Sequence, residues 1–136
     1  MKWFFFWACA ASGLHPIAAL ADLPQAGTCE RRDSFGSGFE SRTVLSWSGN
    51  AADVHKRGQR FSGEVVGLRQ HDAGFKLSVF YTDDIVGLTE IVLFSVPLSE
   101  PVKYRMGWIS YDILPDGERV VGSIVGFEEA NCILTG

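Results

Sequence analysis

The chain has 136 residues, and its 12 Lys and Arg against 16 Asp and Glu give a formal net charge of −4. This length allows one ordinary domain with a single core. A mildly acidic chain with scattered positive charges lacks the basic patch that nucleic-acid binding requires, so we exclude that function.

The first 21 residues have the pattern of a secretory signal peptide. Lys2 precedes a short apolar run, and Ala19 and Ala21 stand at the −3 and −1 positions of a cleavage site. His15 and Pro16 interrupt the run well short of the roughly 20 residues that a membrane-spanning helix needs. We expect cleavage after Ala21, a secreted or periplasmic protein, and no stable membrane anchor after cleavage.

Cleavage leaves residues 22–136 as a single domain and removes Cys9 with the leader. The remaining Cys29 and Cys132 would then meet an oxidising compartment, where an even pair of cysteines predicts a disulfide. The bond would join the N- and C-terminal segments and close a loop of about 100 residues, worth about 4 to 5 kcal/mol in the chain-entropy model. Neither cysteine has a second Cys or His at metal-ligand spacing, so we expect no metal site.

The first residues of the mature chain show neither the helical nor the strand period of apolar residues. Residues 22–41 are rich in Gly, Ser and charge, and we expect an extended arm that becomes ordered near Cys29. The segment Phe39–Ser48 alternates apolar and polar residues, which predicts a first strand. Residues 49–59 then form a polar connection with room for one helical turn.

The stretch from Phe61 to Tyr81 predicts an antiparallel hairpin. Its second half alternates, with Phe75, Leu77, Val79 and Tyr81 on one side, which is typical of a half-buried strand. The connection Asp72–Gly74 ends in Gly, which takes positive φ without a Cβ clash and suits a hairpin with a bulge.

An uninterrupted apolar run follows at Glu90–Val96. Because it is rich in β-branched and aromatic residues and is bounded by Gly87 and Pro97, it predicts a central strand covered on both faces.

A second ribbon surrounds the turn Leu114–Gly117, in which Pro presets φ and Gly supplies positive φ. Beyond Gly107 the apolar residues change parity, which indicates a bulge or a barrel corner. If Leu114 pairs with Glu118, then Trp108 lies opposite Ile124.

The returning strand Arg119–Phe127 contains Gly122 and Gly126, and both point to the same side. Bending of the sheet is the interpretation we favour over a face kept open for a ligand. A short strand around Cys132 ends the chain. Together these elements predict an all-β fold: a small single-domain antiparallel β-barrel or β-sandwich of about six to eight strands.

Motifs for chemistry are absent. Ser62, His71 and Asp72 could be assembled into a triad only on paper, because a His and Asp at a hairpin tip face solvent and no nucleophile elbow is present. The acidic pairs Asp83–Asp84 and Glu128–Glu129 lack the pattern of a calcium loop. We therefore expect no enzyme of known mechanism, no catalytic residue, no cofactor and no metal.

With catalytic motifs absent, the remaining class of function is recognition of another molecule by the protein surface. The favoured hypothesis is an exported binding module, an inhibitor or accessory protein, that acts on another extracytoplasmic macromolecule. Its candidate contact residues are loop charges and one outward-facing ring: Arg57, His71, Phe80, Asp83, Asp84 and Asp116.

Two alternatives stay open. One is a lipocalin-like carrier of a small apolar ligand, which needs an empty interior of roughly 300 Å³ or more lined by the Phe75–Tyr81 face. The other is an enzyme of unrecognised mechanism, which needs a cleft holding two titratable groups within hydrogen-bond reach.

Overall fold

The structure, a computed structural model, describes residues 23–34, 40–96 and 100–135. The expected signal peptide, residues 1–21, lies outside these ranges. The described residues form eight strands: β1 (Ala26–Ser34), β2 (Glu40–Ser48), β3 (Ala51–Lys56), β4 (Gln59–His71), β5 (Gly74–Asp83), β6 (Gly87–Val96), β7 (Lys103–Ile113) and β8 (Arg119–Thr135). No helix in the described ranges is long and apolar enough to cross a membrane.

Each strand pairs antiparallel with the next one, and β8 returns to pair with β1, so the sheet closes into a barrel. The all-β prediction is confirmed, and the architecture is a single-domain barrel. We call the end that carries the β3–β4, β5–β6 and β7–β8 turns the upper end. The other end, which carries the start of β1 and the end of β8, is the lower end.

The core follows from the two-residue period of the strands, because alternate side chains point into the barrel. On β5 the predicted face is buried: Phe75, Leu77, Val79 and Tyr81 are at most 6% exposed. Opposite strands contribute to the same apolar cluster, with Leu45 from β2, Val54 from β3 and Met106 from β7.

The predicted disulfide joins Cys29 to Cys132, and the two Cα atoms are 4.1 Å apart. The two residues are direct cross-strand partners in the β1–β8 ladder, which contains only five residue pairs, from Ala26 with Thr135 to Glu30 with Asn131. The bond therefore locks the strand pair that closes the barrel.

Two strands lie where the sequence predicted irregular structure. The expected arm contains β1, and the expected polar connection contains β3. The inward side of β1 carries Arg31, which is 4% exposed, so a charged residue stands where the pattern required an apolar one. On β3 only Ala52 and Val54 form the buried side, which is too short a run to show a period.

The β4–β5 hairpin differs from the prediction in its turn. His71 pairs with Gly74, which leaves a two-residue turn, and the positive φ of 52° belongs to Asp72. Position 74 requires Gly because the backbone there lies close to Ser95. An added Cβ would lie 1.7 Å from the hydroxyl oxygen of Ser95. That hydroxyl accepts a hydrogen bond from the backbone N–H of Phe75 at 3.0 Å.

The β7–β8 ribbon starts as predicted, since the N–H of Leu114 donates to the carbonyl of Glu118 at 2.8 Å. The predicted register is nevertheless wrong, because Trp108 pairs with Val125. Two register shifts each leave an extra residue on β8, and Gly122 falls in one of them. The irregularity therefore lies in β8, while β7 keeps Met106 and Trp108 buried on its inward face.

The expectation of a strand covered on both faces holds for the middle of β6, where Ile91, Val92 and Leu93 are all buried. Val92 points outwards and pairs with Gly107. The ring of Phe127 lies against Gly107, where an added Cβ would come within 3.0 Å of the ring. Gly107 thus makes room for an aromatic cover outside the barrel.

Replacing Cys29 and Cys132 together with Ser should lower the free energy of unfolding by about 4 to 5 kcal/mol, because the unfolded chain regains the freedom of a long loop. Chemical denaturation of the purified protein measures this loss, and a reductant should lower the wild-type midpoint towards that of the variant. An unchanged midpoint in both experiments would contradict a closing role for the bond.

Candidate functional site

A buried charged network occupies the upper end of the barrel. The side chain of Asp83 is fully buried, and its Oδ1 accepts hydrogen bonds from the backbone N–H groups of Ile85 (2.8 Å) and Val86 (3.3 Å). Arg57 donates to Asp83 at 2.8 Å and to Asp84 at 2.6 Å. The carboxylate therefore ties the β5–β6 turn to the β3–β4 turn.

Tyr81 and Lys56 complete this network. The Tyr81 hydroxyl donates to Oδ2 of Asp83 at 3.0 Å, and the Lys56 ammonium lies 3.3 Å from the hydroxyl and 3.5 Å from the same carboxylate oxygen. Lys56 is only 10% exposed, so its charge sits close to the core and depends on Asp83.

The network shifts the pKa of its members. Burial opposes the charged form of Asp83, but hydrogen bonds from Ile85, Tyr81, Val86 and Arg57 outweigh burial and hold its pKa well below the usual range. Burial and the neighbouring carboxylate raise the pKa of Tyr81, and burial lowers the pKa of Lys56 despite its ion pair. Asp83 is therefore an anion at neutral pH whose two oxygens already accept hydrogen bonds, which makes it a poor general base.

Two cations approach a single indole. The guanidinium carbon of Arg31 and the ammonium nitrogen of Lys56 each lie 4.7 Å from the centroid of a Trp108 ring. Such contacts stabilise a partly desolvated cation by roughly 0.5 to 2 kcal/mol. Trp108 therefore helps the upper half of the barrel to hold two inward-pointing charges.

Arg31 also bridges a gap in the sheet. Above Glu30, β1 no longer pairs with β8. Nη1 of Arg31 instead donates to the carbonyl oxygens of Met106 and Gly126, both at 2.6 Å, while Nε donates to Asp33 at 2.9 Å. The Arg31 side chain thus reaches β8 at Gly126, above the end of the β1–β8 ladder, and β7 at Met106, beside a register shift of the β7–β8 pair.

The gap opens into a cleft of about 740 Å³, which we call the seam cleft. Its walls come from β1, β8, the β3–β4 region and Trp108. The lining residues are Arg31, Arg32, Asp33, Ser41, Lys56, Arg57, Trp108, Val125, Glu128 and Glu129. Because Lys56 and Arg57 belong to both, the seam cleft adjoins the charged network.

The part of β8 above Asn131 carries exposed apolar side chains on both faces. Val121 is 56% and Ile124 67% exposed, and Val120 and Phe127 are 39% exposed. We call Arg119–Ala130 the free edge of β8, because within the described residues it pairs with β7 alone. Unpaired strand edges of this kind are ready templates for another extended chain.

Aromatic and charged side chains contact one another on the outer surface beside the free edge. The Phe80 and Tyr111 rings meet edge to face at 6.1 Å, and the Arg119 guanidinium lies 5.2 Å from the Phe80 ring centroid. The Tyr111 hydroxyl donates to Glu90 at 2.8 Å, and burial together with this bond raises the pKa of Tyr111. Phe80 is thus half-covered by its own neighbours.

The structure brings together three of the predicted contact residues, since Arg57, Asp83 and Asp84 form one ion-pair cluster. Asp116 lies in the β7–β8 turn at the same end and accepts the N–H of Glu118 at 3.0 Å. His71 lies at the lower end, 3.7 Å from Asp72, far along the strands from the cluster. Their role in binding stays a prediction.

Sequence reasoning missed Arg31, Lys56 and Trp108 as neighbours of one cleft. A signal was present for Arg31, because it is two residues after Cys29 and therefore shares its inward face once β1 is known to be a strand. Nothing in the sequence pairs Lys56 with Trp108, since they lie on non-adjacent strands of a barrel whose closure is needed to bring them together.

The interior of the barrel is filled around the face that a carrier would use. Six core side chains have no solvent-accessible surface, so none of them borders a void that water could enter: Leu45, Val54, Leu77, Val79, Leu93 and Met106. Two of these belong to the β5 face on which the carrier hypothesis depends. The packing therefore argues against a ligand held at the centre.

Comparison with known families, curated proteins and solved structures finds no match for this chain.

Asp83→Asn should destabilise the protein by about 3 to 5 kcal/mol, because it leaves the nearly buried Lys56 without its counter-charge. Asp84→Asn is the matched control. It removes a carboxylate from the same Arg57 at an exposed position and should cost less than about 1 kcal/mol. Urea denaturation at pH 7 compares the two, and equal losses would contradict a buried network.

The same variants give a pH test. Because folding lowers the pKa of Asp83, its contribution to stability is full above the unfolded value of about 4 and is lost as the pH falls further. Asp83→Asn should therefore flatten the acid side of the stability profile, whereas Asp84→Asn should retain it.

Proposed function

We propose that the chain is exported and acts as a binding module that takes up an extended segment of another extracytoplasmic protein along the free edge of β8. The single observation that carries this proposal is the short closure of the barrel. β1 covers β8 only from Asn131 to Thr135, and the edge from Arg119 to Ala130 is left without a neighbouring strand among the described residues.

The composition of the free edge supports the proposal. Sheet edges are commonly protected by Lys, Pro or inward-pointing charges, which discourage pairing with other chains. Between Arg119 and Glu128 the edge has neither charge nor proline, and its exposed side chains are apolar or small. Main-chain hydrogen bonds to an added strand supply affinity, and side chains such as Ile124 supply specificity.

Export is supported by the disulfide, which is compatible with an oxidising, extracytoplasmic compartment. The leader pattern of residues 1–21 points the same way. An inhibitor or accessory role fits a module of this kind, because strand addition occupies a segment of the partner without requiring chemistry.

An enzymatic role has one observation in its favour, since Lys56 and Tyr81 lie within hydrogen-bond reach and Lys56 lines the seam cleft. The arrangement of Asp83 argues against it. Both oxygens of this carboxylate are taken up by backbone, hydroxyl and cationic donors, which suits a structural anion and makes Asp83 a poor proton acceptor.

A photo-reactive amino acid at Ile124, in protein produced in the native host, should crosslink to a discrete partner in the extracytoplasmic fraction. Val121→Lys in the same protein should abolish the adduct, because it places a charge on the edge that the partner strand covers. The control is the same photo-reactive residue at the exposed Ser62 on β4.

If β8 binds the partner, the adduct should form from position 124, should not form from position 62, and should be lost in Val121→Lys. Identical adducts from positions 124 and 62, an adduct that survives Val121→Lys, or no adduct at all would each contradict the proposal.

A further inference from the structure

The free edge of β8 has a definite lower limit. The pair Glu30–Asn131 is the uppermost contact of the β1–β8 ladder, and above it the strands separate around the seam cleft. An extended chain that lies against β8 and runs towards this junction must end close to it, because Arg31 already bonds the carbonyl of Gly126 and β1 occupies the positions from Asn131 onwards. The junction therefore suits a chain terminus better than a continuing strand.

The groups at the base of the seam cleft are cationic. Arg31 and Lys56 are 4% and 10% exposed, and both line the cleft beside Trp108. Hydrogen bonds to Asp33 and to two carbonyl oxygens fix Nε and Nη1 of Arg31. These bonds hold the guanidinium in place at the base of the cleft.

The acidic groups of the cleft are placed differently. Asp33 is paired with Arg31, and the fully buried Asp83 is paired with Lys56. Glu128 and Glu129 stand on the β8 wall and are exposed to water. Because a hydrogen bond to a charged group is stronger where water is excluded, the nearly buried cations dominate recognition at the base. The base of the cleft is thus suited to a negative group.

We propose that the seam cleft binds the C-terminal carboxylate of the extended segment that lies on β8. Arg31 and Lys56 are the recognising groups, and the partner strand runs parallel to β8 with its last residue at the junction. The inference rests on the proposed function and narrows it, since strand addition and capture of a chain end are known to combine in peptide recognition.

An NMR titration of the isotope-labelled mature protein tests this with three probes of one sequence, a hexapeptide of alternating threonine and valine. The first probe is N-acetylated with a free C-terminal carboxylate, the second is N-acetylated with a C-terminal amide, and the third has a free amine and a C-terminal amide. The signals to follow are the amides of Val120–Phe127 and the indole N–H of Trp108. The indole of Trp47, at the lower end of the barrel, is the internal control.

The free-acid probe should shift the Trp108 indole and bind about tenfold or more tightly than its amide, because a carboxylate meets preorganised charged donors. The Trp47 signal should stay unchanged. Lys56→Gln should reduce the difference in affinity between the free-acid probe and its amide. Lys76→Gln, which removes a Lys from β5 outside the cleft, should leave that difference unchanged.

Equal affinity of acid and amide, with shifts along Val120–Phe127, would overturn carboxylate capture and leave strand addition standing. Tighter binding of the free-amine probe would assign the cleft to an N-terminus instead and also overturn the inference. Binding of no probe would overturn it as well, and the crosslinking experiment at Ile124 then decides separately whether β8 has a partner. The comparison of probes uses the wild-type protein, so it does not depend on how the variants fold.

Discussion

The structure depends on how the barrel is closed. Five residue pairs between β1 and β8, with the Cys29–Cys132 bond among them, join the first strand to the last one. A covalent link makes so short a ladder sufficient, because it keeps the ends of the sheet together where hydrogen bonds alone would fray. Among the residues that the structure describes, the same short ladder leaves the upper part of β8 without a second neighbouring strand. A free strand edge and a stable barrel are therefore two consequences of one closure.

Charge inside the upper half of the barrel follows from this opening. Where β1 and β8 separate, the carbonyl of Gly126 on β8 needs a donor, as does that of Met106 on β7 beside a register shift, and Arg31 supplies both from within the barrel. Its charge, like that of Lys56, is accommodated by the Trp108 ring and by one carboxylate, Asp33 for Arg31 and Asp83 for Lys56. The lower half is packed with apolar side chains, so the inward-pointing charges of the described residues are concentrated in the upper half.

The sequence predicted most of the ribbon architecture because strands with one apolar face carry a two-residue period, as β5 does. It failed at β1 and β3, where an inward Arg31 and a very short buried side conceal that period. The register of β8 was wrong because extra residues in a bulge cannot be counted before the pairing is known. The disulfide was predictable from two remaining cysteines, whereas the seam cleft was not, since it exists only where distant strands meet and part.

In the described part of the chain, β8 is paired on one side only above Asn131, and the free strand edge depends on this. Hydrogen exchange of the free protein, resolved by residue along β8, tests it most directly. We expect fast exchange of alternate amides between Arg119 and Ala130, those pointing away from β7, and slow exchange from Asn131 to Thr135. Uniform slow exchange along the whole strand would contradict it, because every amide would then have a partner.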